Sequence, residues 1–83
     1  MRAIYFAWVR ERIGKAEEEL DLPADVLTVA DLMAWLSRKD EGYAHAFDTP
    51  STIRAALDHV HAKPNAPLAG VREIAFFPPM TGG

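Results

Sequence analysis

Thr28-Val29-Ala30-Asp31 opens the segment that most narrows the folds open to this chain. A threonine followed three residues later by an acid is the capping-box pattern of a helix N-terminus, with Asp in place of the more usual Glu. Val29, Leu32, Met33 and Leu36 then recur at i, i+3, i+4 and i+7, a single apolar stripe over a helix predicted at about 28–39. Arg38 and Lys39 fall in its predicted last turn, where positive charge complements the helix dipole, and Asp40-Glu41-Gly42 is read as its end. Trp35 flanks the stripe at its rim. A helix with one apolar face must lay it against a second layer, so the segments on either side decide the architecture.

Those segments read largely as strands. Ala3-Ile4-Tyr5-Phe6-Ala7-Trp8-Val9 is rich in aromatic and β-branched residues and too short for a good helix. Period two places Ile4, Phe6 and Trp8 on one face and Tyr5, Ala7 and Val9 on the other, and two apolar faces imply a strand inside the sheet. Arg10-Glu11-Arg12 with Ile13-Gly14 predicts a helical turn or loop closed by glycine. Glu17-Glu18-Glu19-Leu20-Asp21-Leu22 predicts a second strand antiparallel to the first, its acids forming a solvated edge.

Tyr43 to Ser51 reads as a structured connection with one short helical turn, anchored by Tyr43 and Phe47. Residues 52–58 are ambiguous between helix and strand. Lys63-Pro64-Asn65-Ala66-Pro67 and Gly70 mark turns, Leu68 re-enters the core, and Glu73-Ile74-Ala75-Phe76-Phe77 is the last strand, stopped by Pro78. One helix among four or five strands predicts an α+β roll, the helix covering one face of a mixed sheet.

Composition bounds the function. With 83 residues the chain allows one domain and one modest core. It has no cysteine, hence no disulfide staple, thiolate nucleophile or thiolate metal site, and a reducing, cytoplasmic setting is expected. A net charge of −3 with scattered basic residues offers no stripe to neutralise phosphates, which argues against nucleic acid or an anionic membrane and for a partner with a basic docking surface. The opening residues continue into strand-like alternation, so neither export nor membrane insertion is expected.

The sequence finishes at Pro78-Pro79-Met80-Thr81-Gly82-Gly83. Two terminal glycines leave a carboxylate without a side chain beside it, on backbone thin enough to thread a narrow channel. The plain alternative is a frayed terminus. Six residues in extended form reach roughly 20 Å, and the two prolines aim the tail by fixing φ. Phe76 and Phe77 point to opposite faces of the last strand, one to the core and the other, with Pro79 and Met80, toward a partner.

Taken together, Tyr5-Phe6-Ala7-Trp8-Val9-Arg10-Glu11, Thr28-Val29-Ala30-Asp31-Leu32 and Glu73 to Gly83 resemble the family of small, sulfur-carrier subunits of molybdopterin synthase, the MoaD/ThiS type. The specific part is Phe-Phe-Pro-Pro, two residues, then Gly-Gly. Asp58 stands where the family often has Asn, Trp8 where a polar residue is frequent, and Val71-Arg72 intervene where the family often runs Gly-Asp-Glu. The resemblance implies a ubiquitin-like β-grasp, with residues 53–58 as a strand. It divides the chain into a domain at 1–77 and an extended tail at 78–83.

It also implies a role. The Gly83 carboxylate is adenylated by an E1-like enzyme with ATP, converted to a thiocarboxylate by a sulfur donor, and delivers sulfur to cyclic pyranopterin monophosphate. Thr81 and Gly82 thread the tail, and Phe76, Phe77, Pro78, Pro79 and Met80 meet the partner. The large subunit supplies the catalytic side chains, in a heterotetramer of two small and two large subunits, and no cofactor is tightly bound. A carrier for thiazole or tRNA thiolation, and a non-covalent β-grasp interaction module, are the alternatives. His59 and His61, without a carboxylate or thiol cluster, make a poor metal site, and no glycine-rich phosphate loop follows a strand.

Overall fold

The computed structural model describes residues 1–79. Its elements are β1 (Arg2–Tyr5), α1 (Ala7–Ile13), β2 (Glu17–Glu19), α2 (Val29–Ser37), α3 (Glu41–Ala46), a 3-10 turn (Pro50–Thr52), β3 (Arg54–Leu57), β4 (Val60–Ala62) and β5 (Glu73–Phe77). The strands form one mixed sheet in the order β2-β1-β5-β3-β4. β5 is central, parallel to β1 with Tyr5 opposite Phe76, and antiparallel to β3 with Arg54 opposite Phe77.

The capping box at α2 forms as the spacing requires. Thr28 Oγ1 accepts from the Asp31 amide at 3.2 Å, and the Asp31 carboxylate accepts from the Thr28 amide at 3.1 Å and the Leu27 amide at 3.0 Å. Val29, Leu32, Met33 and Leu36 are all buried. They join Ala3, Tyr5, Ile74, Phe76 and Ala55 from one face of the sheet in a single core. On the opposite face Ile4, Ala56, Ala75 and Phe77 are only half-buried.

Several expectations are corrected. The first strand stops at Tyr5 rather than Val9: Phe6 is extended, Ala7 turns at φ 51°, and residues 7–13 form a helix ended by Gly14 at φ 89°. Val9 is buried and Ile13 packs against the core one turn on, while Arg12 sits 4.3 Å over the Trp8 ring. Period-three-to-four contacts of that kind outweigh β propensity once a reversal is made. α2 ends at Ser37, with Arg38 as its C-cap and Lys39 beyond it. Asp40 does not simply end that helix but begins the next, its carboxylate accepting from the Tyr43 amide at 3.2 Å. Of the ambiguous stretch 52–58, Arg54–Leu57 form strand β3, while Thr52 closes the 3-10 turn and Asp58 enters the next turn; Tyr43 and Phe47 are buried anchors.

The β3–β4 hairpin turns on Asp58 (φ 47°) and His59 (φ 72°), both left-handed. Two such residues between the paired Leu57 and Val60 make a type I′ turn. Asp58 stabilises it from the side: its carboxylate accepts from the amides of Arg72 at 3.1 Å and Glu73 at 3.0 Å, and its own amide donates to Glu73 O at 2.9 Å. The turn thereby holds the segment that enters β5.

Candidate functional site

The residues leading out of β5 are placed by alternation along the central strand. Phe76 lies on the core face and is fully buried. Its ring stacks near that of Tyr5, with centroids 6.2 Å apart at 12°, and meets Phe47 edge-on at 5.1 Å. That burial takes Phe76 out of the surface a partner can touch and corrects its place in the partner-binding set. Phe77 lies on the opposite face, half-buried, opposite Arg54, with the His61 ring edge-on at 5.4 Å. Pro78 and Pro79 follow, both half-buried. Met80, Thr81, Gly82 and Gly83 lie outside the described residues.

The face left open by α2 is ordered by strand register. Glu17, Ile4, Ala75, Ala56 and His61 form one row across all the strands. Ile4, Ala75 and Ala56 are half-buried there, and Phe77 extends the apolar centre toward the end of β5. Charge sits around them: Arg2 pairs with Glu17 at 2.5 Å, and His59 Nε2 lies 3.7 Å from Glu73. Sequence reasoning grouped Phe6 with Ile4 and Trp8 but did not assign it to the site. Its side chain is 46% exposed, and its amide continues the ladder to Phe76 O at 3.0 Å. Phe6 follows core-facing Tyr5 and so belongs to the open face beside Phe77; period two was the signal that marks it. Trp8, placed on the same face by the strand reading, instead lies on α1 under Arg12.

The acid run is not uniformly solvated. Glu17 and Glu19 are exposed, but Glu18 turns to the core side and accepts from Tyr5 Oη at 2.8 Å and Tyr43 Oη at 2.5 Å. Burial pushes the Glu18 carboxyl up, yet the two tyrosine hydrogen bonds and nearby Lys15 outweigh it and hold the group below the ordinary glutamate value. Burial, then the bond to Glu18, raises both tyrosines. This network joins β1, β2 and α3 behind the open face. The histidines do not converge: His59 faces Glu73 and His61 faces Phe77. Among the described residues no group of three or more His, Cys, Asp or Glu is gathered to hold a metal. No helix there is long and apolar enough to cross a membrane.

A mixed sheet of this order, with Phe76 turned inward, Phe77 outward and Pro78-Pro79 following, presents a partly apolar surface at the end of its central strand. Residues 3–83 match the profile of the ThiS family. The chain belongs to the ThiS family. It is 31% identical over 83 residues to the molybdopterin synthase sulfur carrier subunit of Escherichia coli K12, covering 100% of this chain and 99% of that one. Among solved structures, SAMP1 from Haloferax volcanii superposes with a TM-score of 0.71 at 25% identity, covering 100% of this chain and 98% of that one. A putative molybdopterin converting factor, subunit 1, from Pyrococcus furiosus has a TM-score of 0.67 at 20% identity and 95% coverage of both chains, a likeness of fold. The ThiS-family fold here is the ubiquitin-like β-grasp, as the sequence resemblance implied.

Proposed function

We propose that this ThiS-family chain is the sulfur carrier of a molybdopterin synthase. Its Gly83 carboxylate is joined to AMP by an E1-like enzyme, with pyrophosphate leaving from ATP. A donor sulfur then displaces AMP to give a thiocarboxylate. That soft, anionic nucleophile attacks cyclic pyranopterin monophosphate while tethered to its carrier, replacing a bimolecular encounter with a delivered reactant. Hydrolysis of the resulting acyl–sulfur bond leaves sulfur on the pterin and restores the carboxylate.

The observation that carries this reading is the end-to-end match to a curated sulfur carrier subunit, with the family match extending through Gly83. The geometry supports it. Residues 1–77 act as the docking body, with Phe6, Phe77 and the Ile4–Ala75–Ala56 row as the contact face, and residues 78–83 as the tail. Pro78 lacks the N–H that would continue the ladder, so the tail leaves the sheet there. The partner is the large subunit, which supplies the catalytic side chains, in a cytoplasmic heterotetramer of two small and two large subunits. A carrier for thiazole or tRNA thiolation, which the family-level match also supports, shares the activation and differs in its acceptor.

The test is intact mass after incubation with ATP, an activating enzyme and a sulfur donor, followed by addition of the large subunit and cyclic pyranopterin monophosphate. An oxygen-to-sulfur mass increase localised to Gly83, then conversion of the pterin to its dithiolene, is expected. Deleting Gly83 or adding one residue after it abolishes both. Absence of the mass increase sinks the carrier reading; mass increase without pterin turnover moves the chain to another thiolation pathway.

A further inference from the structure

The open face divides into two halves of unlike charge. On the β2–β1 side its ionic residues are Glu17, Glu19 and Arg2, with Glu73 beside them on β5. Arg2 stands in register between Glu19 and Glu73 and pairs with Glu17 at 2.5 Å. Glu19 also lies 3.5 Å from the Met1 amine, and Glu73 lies 3.7 Å from His59 Nε2. Each acid on that half has a cationic or imidazole neighbour within the chain, so its charge is largely answered before a partner arrives.

On the β3–β4 side the sign changes. Ala55 is buried against the core, so Arg54 and Ala56 on either side of it face the open side, and His61, in register with Ala56, faces it too. Arg54 lies directly opposite Phe77, and the His61 ring meets the Phe77 ring edge-on at 5.4 Å. One half-buried aromatic ring is thus flanked by a guanidinium and an imidazole on exposed residues. The Arg54 guanidinium donates from Nη1 to two backbone carbonyls, Ser51 O at 3.0 Å and Ile53 O at 3.5 Å. Among the described residues no carboxylate forms an ion pair with it. Its remaining N–H groups keep the planar fork that matches a carboxylate.

We infer that the face recognises the large subunit through an aspartate or glutamate of that partner, seated on the Arg54 guanidinium beside Phe77, with the His61 ring on its other flank. The inference rests on the docking proposed above and adds the sign and the place of the partner's charge. In a chain of net charge −3 the overall sign calls for a basic docking surface. The pairing of Glu17, Glu19 and Glu73 within the chain weakens that call, and Arg54 makes the opposite one at the end of β5, next to Pro78. Docking over Phe77 excludes water from the pair, which strengthens a charge-assisted bond and penalises any partner lacking the acid.

The test is calorimetry of the full chain with the large subunit, at low and high salt, with circular dichroism as the check on folding. Arg54→Gln should bind about tenfold more weakly and Arg54→Glu about a hundredfold, with the wild-type advantage shrinking as salt screens the charges. Glu17→Gln, on the self-paired half, should stay within about threefold of wild type. Reversing the large subunit's exposed Asp and Glu residues to Lys one at a time should yield one variant that binds Arg54→Glu better than it binds wild type. Wild-type affinity in Arg54→Glu overturns the inference, as does a complete reversal series without such a rescue. Unchanged affinity with slowed adenylation at Gly83 also overturns it, by setting a nucleotide phosphate against Arg54 instead. A wild-type chain that forms the thiocarboxylate by intact mass yet does not bind the large subunit fails the docking reading itself, and this inference with it.

Discussion

The Tyr43 hydroxyl donates to the Glu18 carboxylate at 2.5 Å, tying α3 to the β2 edge across 25 residues of sequence, and Tyr5 shares the same oxygen at 2.8 Å. β2 is only three residues long, and beside the buried Leu20 that follows it this carboxylate ties it to the core side. Hydrogen bonds to a charged group contribute about 1.5–3 kcal/mol, more than neutral ones. Tyr43→Phe should therefore lower stability by about 2 kcal/mol in urea unfolding, and Glu18→Ala by more, since it leaves two buried hydroxyls without their acceptor. Equal stability of Tyr43→Phe and wild type would remove Glu18 from its place as the clamp.

The same network sets a pH dependence with two limbs. Glu18 is depressed in the folded state, so its contribution is present above the unfolded glutamate value and is lost as pH falls below about 4.3 and through the folded value. Tyr5 and Tyr43 are raised, so theirs is complete below the unfolded tyrosine value and is lost as pH rises past about 10. Thermal unfolding across pH should show both limbs in the wild type, with the alkaline limb shallower in Tyr43→Phe. An unchanged alkaline limb in that variant contradicts the assignment.

The β3–β4 turn should respond oppositely at its two residues. His59 sits at φ 72° with its ring 86% exposed, and its contact with Glu73 at 3.7 Å is a surface pair of little weight. His59→Gly removes the left-handed penalty and should raise stability by about 1 kcal/mol. Asp58→Ala keeps the strain and loses the acceptor for the Arg72 and Glu73 amides, and should lower stability by about 1–2 kcal/mol. Asp58→Asn retains an acceptor and tolerates φ > 0, so it should fall near wild type. Urea midpoints at constant m-value check all three.

Gly42 marks where α3 approaches α1. A Cβ there would stand 2.8 Å from the Arg12 carbonyl oxygen, a backbone atom that cannot swing aside. Gly42→Ala gains helix propensity of about 1 kcal/mol but must push the helices apart, an overpacking effect of about 1–3 kcal/mol. Net destabilisation is expected, with loss of the Arg12 contact to Trp8 visible as a change in tryptophan fluorescence; a stabilised variant would mean that α1 yields without strain.

Much of this architecture was legible because it rests on local rules. The Thr28–Asp31 box, the Val29-Leu32-Met33-Leu36 stripe, Gly14 as a helix stop and Glu73–Phe77 as a strand each express a short-range pattern that the tertiary structure agrees with. The misread stretch, residues 6–13, is one where the pattern is degenerate: aromatic and β-branched residues suit a strand, but Val9 and Ile13, and Trp8 and Arg12, are also spaced one helical turn apart. What chooses between them is the reversal at Ala7, at a positive φ that no residue type there announces. Glu18 was equally hidden. Its partners are Tyr5 and Tyr43, and an acid between two other acids looks solvated until the strand register sets it opposite Ala3. The aromatic pair at the strand end was recognisable as one inward and one outward residue, but parity alone could not say which; the burial of Phe76 against Tyr5 and Phe47 decides it.

That parity separates folding from docking by one residue. Phe76→Ala empties a fully buried site between Tyr5 and Phe47 and should lower stability by about 3–5 kcal/mol, enough to unfold much of so small a domain. Phe77→Ala removes a half-buried ring from the open face and should lower stability by only about 1 kcal/mol, since much of its surface is already in water. If the open face is the docking surface of the proposed carrier, Phe77→Ala and Phe6→Ala should each weaken binding to the large subunit at least tenfold in calorimetry, because aromatic anchors dominate interfaces. Adenylation and thiocarboxylate formation at Gly83, read by intact mass, serve as the control for folding and for the tail. Full affinity in both variants would place the docking surface elsewhere.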